Sequence, residues 1–341
     1  MVSPISEAAE TRKITILMPC LNEEGSIGPA LRSVLDDYVR AEAEILVIDG
    51  GSTDGTLAEV EELIRAGEPI RVLHNPFHIQ SQGLNIGIRE SCGRYVVRLD
   101  AHCLYPPNYV KRCVTLLEEN NAACAGGVMW PVGETLAQKA VAAAMRHPLG
   151  VGDAKYHLGG YSGEYEGVYL GAFRREALEA AGLFDPEAVT NEDAELYARI
   201  RKNGGRIWLD GNLKVTYRPR STLKALAAQY FRYGKGRLAT ARRHGLTSWR
   251  QAAPPVHLLL VLAACAAAPW FLWPLLYPAA YLLVVAMVTL LGRFEDVPPG
   301  GRLYVFSSFL TIHFSWAAGF LAAALSPRRK GHPEAPGGDP R

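Results

Sequence analysis

Two short acidic constellations carry the chemistry that this sequence can do. In the first, Arg98-Leu99-Asp100-Ala101-His102, an apolar run ends in a carboxylate and an imidazole two residues apart. Side chains at a strand end in an open α/β sheet face the crevice where ligands bind. Carboxylate oxygen suits Mg²⁺ or Mn²⁺, and Mn²⁺ also tolerates imidazole. The run therefore reads as an Asp-x-Asp metal-diphosphate motif with histidine in place of the second carboxylate. The plainer reading is a turn aspartate beside a surface histidine. In the second constellation, Thr190-Asn191-Glu192-Asp193, two carboxylates open a helical pattern. A carboxylate within reach of an attacking hydroxyl can accept its proton, although acids at a helix start are also favoured by the macrodipole alone.

The elements that must position these groups follow from the alternation of apolar runs with helical periodicity, the signature of parallel βαβ units. Strands are predicted over Ile14–Met18, Ile45–Ile48, Ile70–Leu73, Tyr95–Leu99 and Ala123–Val128, and helices over Ile27–Val39, Thr56–Ala66, Gln82–Ser91 and Tyr109–Glu119. The fold class is α/β. The loops after the first two strands, Pro19-Cys20-Leu21-Asn22-Glu23-Glu24 and Asp49-Gly50-Gly51-Ser52-Thr53-Asp54-Gly55, reach the same sheet edge. Gly50 and Gly51 permit close backbone approach, Ser52 or Asp54 can cap the next helix, and Asp49 can accept hydrogen bonds from a base or ribose. Neither GxGxxG nor GxxxxGK[ST] occurs, so carboxylates and a metal would have to hold any nucleotide.

Pro19 to Glu23, Asp49 to Asp54, Gly83-Leu84-Asn85-Ile86-Gly87-Ile88 and Asp100-Ala101-His102 together resemble the inverting family 2 glycosyltransferases. The resemblance implies a GT-A fold with a mostly parallel central sheet, and a nucleotide-sugar donor. It places Pro19, Leu21, Asn22, Glu23, Asp49, Gly50 and Asp54 in the donor site. Gly83, Asn85 and Gly87 belong to the same site, as do Asp100 and Ala101, and Asp100 with His102 binds Mg²⁺ or Mn²⁺. Glu192-Asp193 resembles the family's acidic motif, with Asp193 as general base. Single displacement would invert the anomeric centre without an enzyme nucleophile.

Further along, Gln229-Tyr230-Phe231-Arg232-Tyr233 resembles the Gln-x-x-Arg-Trp motif of processive members, with Tyr233 replacing tryptophan. It implies an acceptor or diphosphate site at Gln229, Arg232 and Tyr233. The same stretch reads as an interfacial helix presenting Arg232, Lys235, Arg237, Arg242 and Arg243 to anionic lipid. The glycine- and tyrosine-rich stretch His147 to Gly167 has no clear period and is expected to be a mobile loop beside the acceptor. These features are most similar to the membrane-bound succinoglycan-type exopolysaccharide glucosyltransferases. They imply UDP-glucose as donor and a polyprenyl-diphosphate-linked saccharide as acceptor.

Composition narrows the surroundings. A net charge of +2 without a basic, aromatic-interleaved stripe excludes nucleic acid as a partner. The six cysteines lack CxxC spacing and read as reduced thiols. Charged residues are common up to Arg250 and nearly vanish from Pro254 to Leu291. Val256–Trp273, Leu275–Leu291 and Leu303–Leu325 have roughly spanning length. The expected organisation is a disordered 1–12, a catalytic domain over 13–220, interfacial helices over 221–252, about three transmembrane helices over 253–326, and a disordered 327–341. The chain is expected to be a multi-pass protein of the inner plasma membrane with its catalytic domain cytoplasmic. Arg328-Arg329-Lys330 favours a cytoplasmic end, against the outside end that three crossings would give, so one segment is re-entrant or the charge bias is overridden. Two further readings are a polyprenyl-phosphate sugar transferase and a non-catalytic nucleotide-sugar-binding membrane module. A transporter is disfavoured because His257 and His313 alone make no polar pathway.

Overall fold

The sheet is built from β1 (Ile14–Cys20), β2 (Ala43–Asp49), β3 (Ile70–His74), β4 (Tyr95–Arg98), β5 (Cys103–Leu104), β6 (Cys124–Pro131), β7 (Ser162–Glu164), β8 (Tyr169–Arg174) and β9 (Ile207–Tyr217). The computed structural model describes residues 12–245 and 251–326. Most of the expected N-terminal disordered segment, the whole of 327–341 with its basic cluster, and Arg250 lie outside the described residues. Contacts divide the chain into two units. One takes its described residues from Met1–Trp130 and Gly159–Tyr217, the other from Pro131–Leu158 and Arg218–Lys330.

In the first unit the strand order is β3-β2-β1-β4-β8-β6-β9-β5, with β7 on β9. Pairing is parallel among β3, β2, β1 and β4. It becomes antiparallel at β8, which lies between β4 and β6. The α/β class holds, with a mixed sheet in which these four strands pair in parallel and β8 pairs antiparallel with both its neighbours. β1 and β2 are buried almost throughout, as expected of central strands covered on both faces. The single helix expected over Ile27–Val39 is two, Ile27–Val34 and Asp37–Glu42, because Asp36 takes an extended conformation and its carboxylate caps Val39 N–H.

The second unit is helical. Leu136–Met145 starts with a capping box between Thr135 and Gln138. The stretch expected as an irregular loop from His147 instead forms the short helices Pro148–Val151 and Lys155–Leu158, the first begun by Pro148 with His147 accepting from Leu149 N–H. It then passes into β7 of the first unit. The long helices are Leu223–His244, Ala253–Ala267, Leu276–Leu291 and Arg302–Leu325. Two segments are long and apolar enough to cross a membrane, Trp273–Leu291 and Pro299–Leu325, whereas Ala253–Ala267 is shorter.

Candidate active site

Arg98, the last residue of β4, organises the first unit's polar centre. It is 7% exposed. Its Nη1 lies 2.9 Å from Glu192 Oε1 and its Nε 3.4 Å from Asp100 Oδ1. One guanidinium thus ties together the two acidic constellations, one at the end of β4 and the other at the start of helix Glu192–Lys202. Burial opposes the arginine's charge, but Asp100, Glu192 and Asp193 outweigh it and hold its pKa well above the ordinary value. Burial pushes the Glu192 carboxyl up; Arg98 pulls it back, and neighbouring Asp193 adds to the rise, so the net direction is upward.

The helix carrying Glu192 and Asp193 begins after Asn191, which sits in the left-handed region at φ +57°. Asparagine tolerates that conformation better than most residues. Asp193 is half-buried, and its Oδ1 accepts from Ala194 N–H at 2.6 Å. Asp100 is held from several sides. Gln80 Nε2 donates to its Oδ1 at 3.3 Å, and its backbone N–H donates to the Tyr105 hydroxyl at 2.7 Å. His102 Nδ1 lies 3.1 Å from Glu23 Oε1, and its ring meets Tyr217 edge-on.

The loops after β1 and β2 interlock. Ser52 Oγ accepts from Asn22 N–H at 3.0 Å and Asn22 Oδ1 from Thr53 N–H at 2.8 Å. Thr56 Oγ1 accepts from Glu23 N–H at 2.6 Å, and Asp54 accepts from Glu24 N–H at 3.2 Å. The Asp49 carboxylate is buried and accepts from Gly51 N–H at 3.0 Å and Ser52 Oγ at 2.6 Å. Gly51 has φ +91°, a conformation that asks for glycine. Asp54 also accepts from Thr56 N–H at 3.0 Å, the capping role open to it from the sequence. Pro19, Leu21 and Asn22 are at least partly accessible along this edge, whereas Gly50 and Ala101 are buried.

Three residues expected around the donor make packing contacts. Asn85 Nδ2 donates to Phe184 O at 2.8 Å while its Oδ1 accepts from Phe184 N–H at 3.0 Å. A Cβ on Gly87 would lie 2.6 Å from Leu17 Cδ2, and one on Gly83 2.9 Å from Asn75 Nδ2. These glycines let the helix Gln80–Arg89 lie close against the sheet. In the second unit, Gln229 Nε2 donates to the Tyr233 hydroxyl at 2.9 Å across one helical turn.

The residues present fit a divalent cation whose remaining ligands come from a diphosphate and water. Among the described residues no group of three or more His, Cys, Asp or Glu side chains could hold a metal. Mg²⁺ and Mn²⁺ sites on nucleotides commonly use only one or two protein ligands. The Glu23 carboxylate beside His102 Nδ1 is the kind of contact that fixes the orientation of a histidine ring. Sequence reasoning assigned no role to Arg98 and did not foresee the contact of Glu23, expected in the donor site, with His102. The available signal was an arginine ending an otherwise apolar strand.

The model of glycosyl transferase family 2 matches residues 15–182. The chain is similar to the succinoglycan biosynthesis protein ExoA of Rhizobium meliloti, with 33% identity over 92% of this chain and 96% of that protein. It is also 27% identical, over 65% of this chain and 71% of the other, to a dolichyl N-acetyl-α-D-glucosaminyl phosphate 3-β-D-2,3-diacetamido-2,3-dideoxy-β-D-glucuronosyltransferase of Methanococcus voltae. Among solved structures, a mannosyltransferase of Pyrobaculum calidifontis in complex with GDP-Man and Mn²⁺ shares the fold, with a TM-score of 0.64 at 20% identity over 92% of this chain and 87% of that one.

Proposed function

The chain belongs to glycosyltransferase family 2 and serves polysaccharide biosynthesis, and we propose that it moves glucose from UDP-glucose to a hydroxyl of a polyprenyl-diphosphate-linked saccharide. The observation that carries this reading is the bridge from Arg98 to Asp100 and Glu192, which gathers the diphosphate-facing and base-bearing constellations around one buried charge. Asp193 accepts the acceptor's proton as its oxygen bonds to the anomeric carbon and the carbon–oxygen bond to the diphosphate breaks. A single displacement inverts the centre. Asp100 and His102 would hold Mg²⁺ or Mn²⁺, which supplies positive charge to the leaving diphosphate. Pro19, Asn22 and Asp49, on the interlocked loops, form the uridine side. Glu23 acts by orienting His102, and Glu192 by holding Arg98 and the start of the helix.

Arg232 is the residue proposed to meet the acceptor's diphosphate. Arg232 opens on an apolar trough of about 550 Å³ lined by Ala227, Ala228, Phe231, Phe314 and Ala318. A guanidinium beside an apolar trough suits a diphosphate with a prenyl tail. The apolar helices anchor the catalytic domain at the cytoplasmic face of the plasma membrane. Asp193→Asn should lower turnover by about 10²–10⁴-fold and leave UDP affinity, read by calorimetry, nearly unchanged. Retained turnover removes Asp193 as the base. A panel of UDP- and GDP-sugars against prenyl-phosphate and prenyl-diphosphate-saccharide acceptors, read by product mass, tests donor and acceptor together.

A further inference from the structure

The second unit's last helix, Arg302–Leu325, has the length and apolar character of a membrane span. Its middle meets the preceding hairpin, where the Tyr281 hydroxyl lies 2.8 Å from His313 Nδ1, but polar contacts hold it from its beginning to its end. Before it, Asp296 pairs with Arg146 at 2.9 Å, and Gly301 lies against Leu136. Halfway along, His313 Nε2 is 2.7 Å from Leu149 O. Next comes a backbone crossing with Leu223–His244, where a Cβ on Gly234 would sit 2.0 Å from Trp316 O and one on Gly319 2.0 Å from Phe231 O. At the far end, Arg242 Nη2 donates to Ala323 O at 3.1 Å.

The partner helix Leu223–His244 carries Lys224, Arg232, Lys235, Arg237, Arg242 and Arg243. Six cations beside one helix are incompatible with a hydrocarbon interior. Helices packed along their lengths share one depth, so Arg302–Leu325 shares the polar depth of Leu223–His244.

The hairpin preceding it is different. Ala253–Ala267 and Leu276–Leu291 present Val256, Leu259, Leu262, Leu283, Met287 and Leu290 outward. The turn between them exposes Trp270 and Leu272, each at 75%. His257 and Tyr281 face each other across the limbs with ring centroids 4.3 Å apart, so the limbs run out and back. At the return, Arg302 bonds the carbonyl ends of Leu276–Leu291. The hairpin's end is therefore fixed beside the start of Arg302–Leu325. The first limb, Ala253–Ala267, at about 1.5 Å per residue, is about 22 Å long, short of the roughly 30 Å hydrocarbon core, whereas Trp273–Leu291 has the length to cross it.

We propose that only this hairpin enters the bilayer, from the cytoplasmic side, and that Arg302–Leu325 lies along the membrane surface without crossing it. The partner surface is the acyl layer of an anionic leaflet, with the cations of Leu223–His244 at the headgroups. The inference rests on the membrane anchoring proposed above and specifies its topology. It requires residues 292–301 and the end of the last helix to lie on one side, the cytoplasmic one.

Cysteine accessibility in the full-length protein tests it. The exposed native thiols are removed by Cys92→Ser and Cys265→Ala, and Glu295→Cys or Ser326→Cys is added, both at exposed positions. A membrane-impermeant maleimide is applied to intact spheroplasts and to inverted vesicles. Both cysteines should react in inverted vesicles only. Reaction of Glu295→Cys in spheroplasts would mean that Trp273–Leu291 and Pro299–Leu325 both cross. Reaction of Ser326→Cys there would mean that the last helix crosses after a two-way hairpin. A cysteine that reacts on neither side until detergent is added lies in lipid and also overturns the proposal. Carbonate washing separates the failures: release of the protein refutes anchoring itself, whereas retention with outside labelling refutes only the topology.

Discussion

Replacing Arg98 with methionine leaves Glu192 and Asp100 without their shared counter-charge. The Arg98 and Glu192 side chains are 9% and 8% exposed and 2.9 Å apart, so solvent screening offers little relief. Removing one member of a buried ion pair costs about 3–5 kcal/mol, because the other stays buried and uncompensated. At about 2–4 °C per kcal/mol for a unit of this size, Arg98→Met should lower the unfolding midpoint by roughly 6–20 °C. Glu192→Gln on that background removes one stranded carboxyl and should restore part of the loss. The pH dependence has a definite sign. A carboxyl whose folded pKa is raised binds more protons in the folded state, so stability falls as pH rises from the unfolded value through the folded one. Arg98 pulls the Glu192 pKa down. Without it the folded value climbs further, and Arg98→Met should lose stability increasingly as pH rises above the ordinary carboxylate range, while Arg98→Met/Glu192→Gln changes less. Thermal unfolding followed by near-ultraviolet circular dichroism across that rise in pH reads both effects. A double variant no more stable than Arg98→Met, with the same pH slope, would refute the bridge as the organiser of the site.

Three other outcomes follow from single contacts. Asn85→Ala strands Phe184 N–H and O and should cost about 2–3 kcal/mol in denaturant unfolding, with UDP affinity per folded molecule unchanged. Gly319→Val drives a side chain into the Phe231 backbone and should destabilise the helical unit by about 3 kcal/mol or more, seen as faster limited proteolysis after Leu223. Burial and the Asp49 carboxylate push the Cys20 thiol pKa up, so iodoacetamide at pH 8 should modify exposed Cys92 and leave Cys20 intact until the protein unfolds.

Legibility in the sequence followed the range of the interactions. β1 to β4 were readable because a buried parallel strand is a local apolar run, and the interlocked loops because Asn22, Ser52 and Asp54 declare turn and cap chemistry by type. β7 and β9 escaped notice: the burial alternation of β9 is broken at Leu209, Asp210 and Gly211, and two of its partners are the short strands β5 and β7, far away in the chain. At the candidate site, residue types suggested Asp100, Glu192 and Asp193, but no local pattern could show that Arg98 joins them. The joining contact depends on a helix start almost a hundred residues downstream.

The apolar C-terminal region shows the deepest limit of reading hydropathy. A run such as Leu303–Leu325 satisfies a spanning criterion whether its surroundings are lipid or protein, since composition reports only that water is excluded. What distinguishes the two is the partner. Glycines at 234 and 319 sit where two backbones touch, and Gly150 likewise packs on Ala144 O beside Phe309. Such glycines sacrifice apolar surface in favour of close approach. Exposed leucine and valine instead concentrate on the hairpin before it. Two apolar segments of similar length are thus separable by where small residues interrupt them. That criterion predicts a graded response: leucine should be tolerated at Ala263 or Ala266 on the hairpin, both exposed or partly so, and rejected at Gly319, with protease resistance of the membrane-bound protein as the readout. Equal tolerance at both kinds of position would remove the distinction between lipid-facing and protein-facing apolar surface.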